Sequence, residues 1–286
     1  MGILYVVATP IGNLSDMTFR AVETLKAVKY IAAEDTRHLL PLLKRYDIAG
    51  QKLISLHKFN ESARCDVILD KIENEDCDVA LVSDAGTPCI SDPGAILVKA
   101  ARERGINVIG IPGASAATLA VSISGLDVSK FVFLGFFPRE NKGKKELTAL
   151  MQSTEVKTFV IYESPLRIIK TLNYLHDIFP NAFGMVGNDL TKMFEASHYG
   201  TLETIVQELE NNEHAEKGEY VLVIEPRFTP DEQNEDISIE ALLINEMVRN
   251  NVTLKDAMNN LRIRTEHGKN EIYKASLNVK KLCGML

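Results

Sequence analysis

Short runs of aliphatic and β-branched residues alternate with amphipathic stretches through most of this 286-residue chain. That alternation constrains the fold more than any single motif, because repeated strand and helix units build an open, mostly parallel sheet covered by helices. In the first half the strand candidates are residues 4–8, 30–33, 53–56, 79–82 and 108–111. Between the first two, Phe19, Val22, Leu25 and Val28 recur at helical spacing after the capping candidates Ser15 and Asp16. Asn60 opens another helix, running to about residue 73. A second series predicts strands at 131–134, 158–162, 183–186, 193–197 and 220–224, with helices at 144–152, 165–176 and 202–210. Two strands in succession around Leu190, with no helix between them, predict a mixed second sheet.

Residues 226–236, PRFTPDEQNED, are acidic, contain proline and offer little to a core, which is the composition of a linker. Beyond them Leu242, Leu243, Met247, Leu254, Met258 and Leu261 form the apolar stripe of a few short helices. The expected architecture is α/β: a first domain at 1–113 with a mostly parallel sheet, a second at 114–226 with a mixed sheet, and a cleft between them. A linker at 227–237 then leads to a small helical domain at 238–286.

Charge narrows the partners. Lys and Arg number 32 against 39 Asp and Glu, a net charge of −7, so no global positive field draws the chain to nucleic acid or to an anionic membrane. A polyanion has to be met locally. Residues 249–281 hold eight Lys or Arg against three acids, a basic tail on an otherwise acidic protein. Cys65, Cys77, Cys89 and Cys283 form no C-x-x-C pair and are too sparse for a disulfide scaffold, which fits a reducing cytoplasm. The six histidines lack zinc-ligand spacing, so no metal is expected. The uncharged run 105–126 is broken by Gly110, Pro112 and Gly113 and reads as strand, turn and small-residue helix rather than a membrane span.

Neither G-x-x-x-x-G-K-[ST] nor a G-x-G-x-x-G after the first strand occurs, which removes the common phosphate-cradling loops. Glycine instead clusters just past three strand candidates: ATPIGN at 8–13, SDAGTPCISDPG at 83–94 and IPGASAAT at 111–118. The carboxyl ends of strands are where α/β sheets bind ligands. Glycine there admits a close backbone approach, and proline stiffens the turn. Polar clusters end three further strands: AEDTR at 33–37, HKFNE at 57–61 and YESPLR at 162–167. Carboxylates with nearby guanidinium groups offer a base and a phosphate clamp. The plainer roles are caps: Asp35 or Thr36 for the helix that follows, and Ser164 ahead of Pro165.

The ordered set ATPIGNL, AEDTR, HKFNE, LVSDAGTPCISDPG, IPGASAA, FLGFFPR, IYESPLR, LTK and GEYVLVIE resembles the tetrapyrrole methylase family from residue 4 to about residue 224. The resemblance implies an S-adenosylmethionine-dependent methyltransferase with the cofactor folded in the cleft between two α/β domains. It implies transfer to the ribose 2′-oxygen of a cytidine in the decoding region of 16S rRNA, free or in the small ribosomal subunit, by a cytoplasmic homodimer. Carried over by position, the cofactor contacts are Pro10 in the first loop, Asp84, Gly86 and Thr87 in the second, and Ser115 and Ala116 in the third. Tyr162, Tyr220 and Leu222 complete the adenine side. A ribose hydroxyl attacks well only as its proton leaves, and Glu34, Asp35, Glu61 and His57, at strand ends beside those loops, are the candidate acceptors. Arg37, Arg139, Lys142, Lys144, Lys145 and Arg167 are the candidate RNA contacts. Two other readings remain open: a porphyrinoid C-methyltransferase sharing the same slot, and a nucleoside-binding module without catalysis.

Overall fold

The computed structural model describes residues 2–227, 238–265 and 267–282. The chain divides into two compact units at residue 227.

The first unit contains two sheets. Strands β1 (Ile3–Val7), β2 (Tyr30–Ala33), β3 (Lys52–Ser55), β4 (Val79–Val82) and β5 (Asn107–Ile111) form one, in the order β3-β2-β4-β1-β5. Every pairing in it is parallel. Helices α1 (Phe19–Ala27), α2 (Thr36–Arg45), α3 (Glu61–Asn74) and α4 (Ala95–Glu103) connect these strands. Strands β2 and β4 are buried at every position, as expected where helices cover both faces. Alternation along the strands divides the apolar residues between two cores. Ile31, Ala33, Ala80 and Val82 pack with Leu25 of α1 and Leu39 and Leu42 of α2. Tyr30, Ala32 and Leu81 pack with Ile68 and Leu69 of α3 and Leu97 of α4.

Helix α5 (Ala116–Ile123) follows β5 but belongs by packing to the second sheet, where its Ala117, Ala120 and Val121 meet Val160, Met185, Val221 and Val223. That sheet comprises β6 (Phe131–Phe136), β7 (Thr158–Glu163), β8 (Phe183–Asn188), β9 (Ala196–Thr201) and β10 (Tyr220–Glu225), in the order β6-β7-β10-β8-β9. Only β6 and β7 pair in parallel, so the sheet is mixed. Its helices are α6 (Asn141–Ser153), α7 (Ile168–Ile178) and α8 (Leu202–Glu210).

Several boundaries differ from expectation for physical reasons. The strand expected at 193–197 forms instead as β9, because Asp189 and Thr191 take positive φ and build a turn that leaves Met193 and Phe194 almost fully exposed. Ser15 and Asp16 lie in a short 3₁₀ turn, and it is Thr18 whose side chain accepts the Ala21 N–H to cap α1. Helix α7 starts three residues after Pro165, with Arg167 as its N-cap, so Ser164 caps nothing there. Asp35 does cap α2, accepting the Arg37 N–H.

In the second unit, helices Ile239–Asn250, Leu254–Arg264 and Lys269–Leu282 pack around Leu243, Leu254, Ala257, Leu261, Ile272 and Val279. Thr253 caps the middle helix by accepting the Asp256 N–H. Arg249, Lys255, Arg262, Lys269, Lys274, Lys280 and Lys281 are exposed. The linker expected at 227–237 lies, from residue 228 on, outside the described residues.

Glu61 shows how a strand-end cluster can serve the fold. It is buried, and its Oε1 accepts N–H groups from Gly94 and Ile96 at 2.9 Å and from Leu97 at 3.3 Å, satisfying the start of α4. Glu61→Ala leaves those amides without an acceptor and is expected to lower the unfolding free energy by about 2–3 kcal/mol, measured by urea denaturation. An alanine variant as stable as the parent would remove this role.

Candidate functional site

The three glycine-bearing loops meet at the carboxyl edge of the first sheet, held by backbone bonds. Thr9 and Gly86 form an isolated antiparallel bridge, with Thr9 N–H donating to Gly86 O at 2.9 Å and Gly86 N–H to Thr9 O at 3.1 Å. Gly86 sits at φ +82°, where a side chain would be strained and its Cβ would press on Ile11. Thr87 Oγ1 donates to Ala114 O at 3.2 Å, tying the second loop to the third. The first loop also reaches the second sheet. Asn13 N–H donates to Thr191 Oγ1, and Gly12 lies so close to Lys192 that a Cβ would come within 2.4 Å of its side chain.

These loops and the ends of β6, β7 and β10 surround a cavity of about 580 Å³, inside the roughly 300–1,000 Å³ range of small-molecule sites. Eight of the anticipated residues line it: Glu34, Asp84, Gly86, Thr87, Ser115, Ala116, Tyr162 and Tyr220. Tyr162 is fixed at the start of α5, where its hydroxyl accepts the Ala117 N–H at 3.1 Å, and burial pushes its phenol up.

Other anticipated residues lie elsewhere. Pro10 is buried, and its neighbour Ile11 faces the cavity instead. Leu222 is fully buried within β10 and lies off the lining, which takes only Tyr220 and Val221 at the start of that strand. Asp35 is occupied by Arg37, which donates from Nε at 3.0 Å and Nη2 at 2.6 Å, and this pairing holds the Asp35 carboxyl well below its usual range. Glu61 is consumed by α4. His57 lies outside the lining, with a buried Nδ1 that finds no partner among the described residues.

The basic candidates separate in the same way. Arg167 donates to the fully buried Glu163 and to Phe137 O, so it braces β7 rather than presenting a free clamp. Lys144 Nζ rests 5.1 Å from the centre of the Tyr174 ring. Lys142 lies 3.9 Å from Glu146, while Arg139 and Lys145 are exposed. Arg37 is exposed despite its pairing with Asp35.

The cavity's electrostatics are one-sided. Glu34, Asp84, Asp92, Glu163 and Glu219 line it, with no Lys, Arg or His among the lining residues. Burial, then the charges of Asp84 and Asp35, raise Glu34; the nearby His57 opposes this. Burial and the charges of Glu34 and Asp84 push Asp92 up to about 7. Such mutual repulsion makes the space receptive to a cation.

Sequence reasoning passed over Ile11, Ile90, Asp92, Phe136, Leu190 and Glu219. Asp92 had a signal, since it is the second aspartate of the 83–94 loop. Phe136 and Glu219 arrive from the second sheet by tertiary packing, for which one sequence carries no local mark. Asn188, at the end of β8, donates from Nδ2 to the Tyr220 hydroxyl at 3.2 Å and so braces that wall.

The chain belongs to the tetrapyrrole (corrin/porphyrin) methylases, whose family pattern matches residues 3–206. It is 40% identical over 284 residues to ribosomal RNA small subunit methyltransferase I of Synechocystis sp., covering 98% of this chain and 99% of that one. It is 38% identical over 280 residues to the protein of the same name from Escherichia coli O157:H7, covering 96% and 95%. Among solved structures, uroporphyrin-III-C-methyltransferase from Thermus thermophilus shares the fold, with a TM-score of 0.54 at 18% identity over 78% of this chain and 94% of that one.

Proposed function

We propose that this chain is an S-adenosylmethionine-dependent methyltransferase of ribosomal RNA, and that its target is the ribose 2′-hydroxyl of a cytidine in the decoding region of 16S rRNA. The observation that carries the reading is similarity that runs nearly end to end, through all three loops and the C-terminal segment, to the small subunit methyltransferases I.

The cavity fits the cofactor. Glu34 and Asp92 in its wall take no hydrogen bond from any described residue, and no Lys, Arg or His lines it; S-adenosylmethionine brings a sulfonium and an ammonium group. Ile11, Ala116, Tyr162, Leu190 and Val221 would give the nucleoside an apolar bed, while the backbone at Gly86 and the side chains of Thr87 and Ser115 would supply polar contacts. When bound, the group supplies a methyl already activated by the positive sulfur. What remains for the protein is alignment, exclusion of water and removal of one proton. Of the four anticipated proton acceptors, Glu34 alone opens on the cavity. Asp84 is oriented from behind: its Oδ1 accepts the Asp35 N–H at 2.9 Å, and its Oδ2 lies 3.0 Å from His38 Nδ1.

RNA approaches a chain of net negative charge, so local cations must receive its phosphates. Arg37, Arg139, Lys142 and Lys145 are exposed and suited to this, whereas Arg167 is bound to Glu163 and Phe137 O and Lys144 rests on the Tyr174 ring. The resemblance adds a homodimer. It also adds a cytoplasmic location, which Cys65, Cys77 and Cys89, all free thiols, support.

Incubating the protein with methyl-labelled S-adenosylmethionine and small ribosomal subunits from a strain lacking its gene, beside a porphyrinoid acceptor, tests the reading. Label is expected on one ribose of a decoding-region cytidine. Label on a base, or on the porphyrinoid alone, would overturn it. Arg139→Gln with Lys145→Gln should flatten the salt dependence of RNA binding by roughly 0.7–0.9 in the log–log slope per lost contact. An unchanged slope would place both groups outside the interface.

A further inference from the structure

The five carboxylates that line the cavity are not equivalent. Asp84 accepts the Asp35 amide and contacts His38, Glu163 is taken up by Arg167 and Thr171, and Glu219 accepts from Lys192 at 2.9 Å. Only Glu34 and Asp92 take no hydrogen bond from any described residue, which leaves both free for a ligand. Asp92 has the more elaborate mounting. Cys89 at φ +70° and Ser91 at φ +68° are non-glycine residues held in the left-handed region on its N-terminal side. Behind it, Gly94 N–H is anchored on Glu61. Unfavourable backbone kept in place by surrounding bonds is a mark of a functional segment. Nothing in the packing of α4 requires a carboxylate at position 92, since Glu61 already serves that helix.

Resting on the methyltransferase reading above, we propose that Asp92 is the carboxylate that takes the proton of the attacking ribose hydroxyl, and that arrival of the sulfonium cofactor leaves it ionised for that task. The groups coupled to Asp92 are Glu34 from the end of β2, Asp84 and Cys89 from its own loop, and Tyr162 from β7. The other titratable groups facing the cavity are Glu163, Glu219 and Tyr220. None of them is cationic. In the free protein these neighbours and burial keep Asp92 partly protonated near neutrality. A positive ligand in the same space favours the carboxylate, so binding expels a proton. In the transfer, the ribose O–H bond breaks and its proton passes to Asp92 while the oxygen bonds the methyl carbon. The C–S bond breaks with its electron pair left on sulfur. A cation and a carboxylate thus become a neutral thioether and a neutral acid, so the charges that met in the cavity cancel there. Asp92 is preferred to Glu34 because it sits on the strained loop segment anchored through Gly94, and its raised carboxyl suits a proton acceptor.

Proton release can be counted by titrating S-adenosylmethionine and S-adenosylhomocysteine calorimetrically at pH 7 in buffers of different ionisation enthalpy. Wild type is expected to release about half a proton with the sulfonium compound, as a group with pKa near 7 should, and much less with the neutral thioether. Asp92→Asn should abolish the difference and slow single-turnover methylation of small subunits by about 100-fold or more. Asp92→Glu should restore much of both, and it carries the test should the asparagine variant not fold. Unchanged proton release or an unchanged rate in Asp92→Asn would overturn the proposal, as would wild-type binding without any proton release. A wild-type protein that fails to bind S-adenosylmethionine would overturn the methyltransferase reading itself, along with this inference.

Discussion

Two backbone hydrogen bonds between Thr9 and Gly86 hold the site together. They join the loop after β1 to the loop after β4, two strands that pair in parallel at the centre of the first sheet. Because β5 also pairs with β1, the third loop starts alongside, and Thr87 fastens it through Ala114. Three bends spread over about a hundred residues of sequence thereby become one wall. The arrangement needs Gly86, since its φ of +82° suits a residue without a side chain. The first loop extends the wall to the second sheet through Asn13 and Gly12, so the cavity is closed by the strand ends of both.

Much of this was legible because the α/β layout writes itself into hydrophobic periodicity. Strands β2 and β4 lie where the apolar runs predict, residue for residue, and α8 matches its expected bounds. The family whose pattern matches residues 3–206 is the one the chain's motifs resemble. The errors arise where local pattern and tertiary demand diverge. Met193 and Phe194 look like strand but ride on a turn, because Leu190 is the residue buried against the second core. Pro165 looks like a helix start, yet the helix waits until Ile168 while Glu163 gathers Ser164, Arg167 and Thr171 around its carboxylate.

The same divergence governs the site. Loop residues were identifiable because glycine and proline at strand ends have few other reasons to cluster. Roles among the carboxylates were not, because a sequence records neither which oxygens are already spent nor which face water. Glu61 and Asp35 stand beside the right loops and are both consumed by helix caps, while Asp92, an unremarked residue of a conspicuous motif, is left open to the cavity. Unpaired carboxylates repel one another, and Glu34 and Asp92 lie where a nucleoside of net positive charge is expected to bind.

Amide hydrogen exchange with and without S-adenosylmethionine tests most directly whether the three loops form one cofactor site. Residues 8–13, 83–94 and 111–118 should slow together at a single saturating concentration. Protection confined to other segments, or protection of one loop while the other two exchange as before, would contradict a shared site.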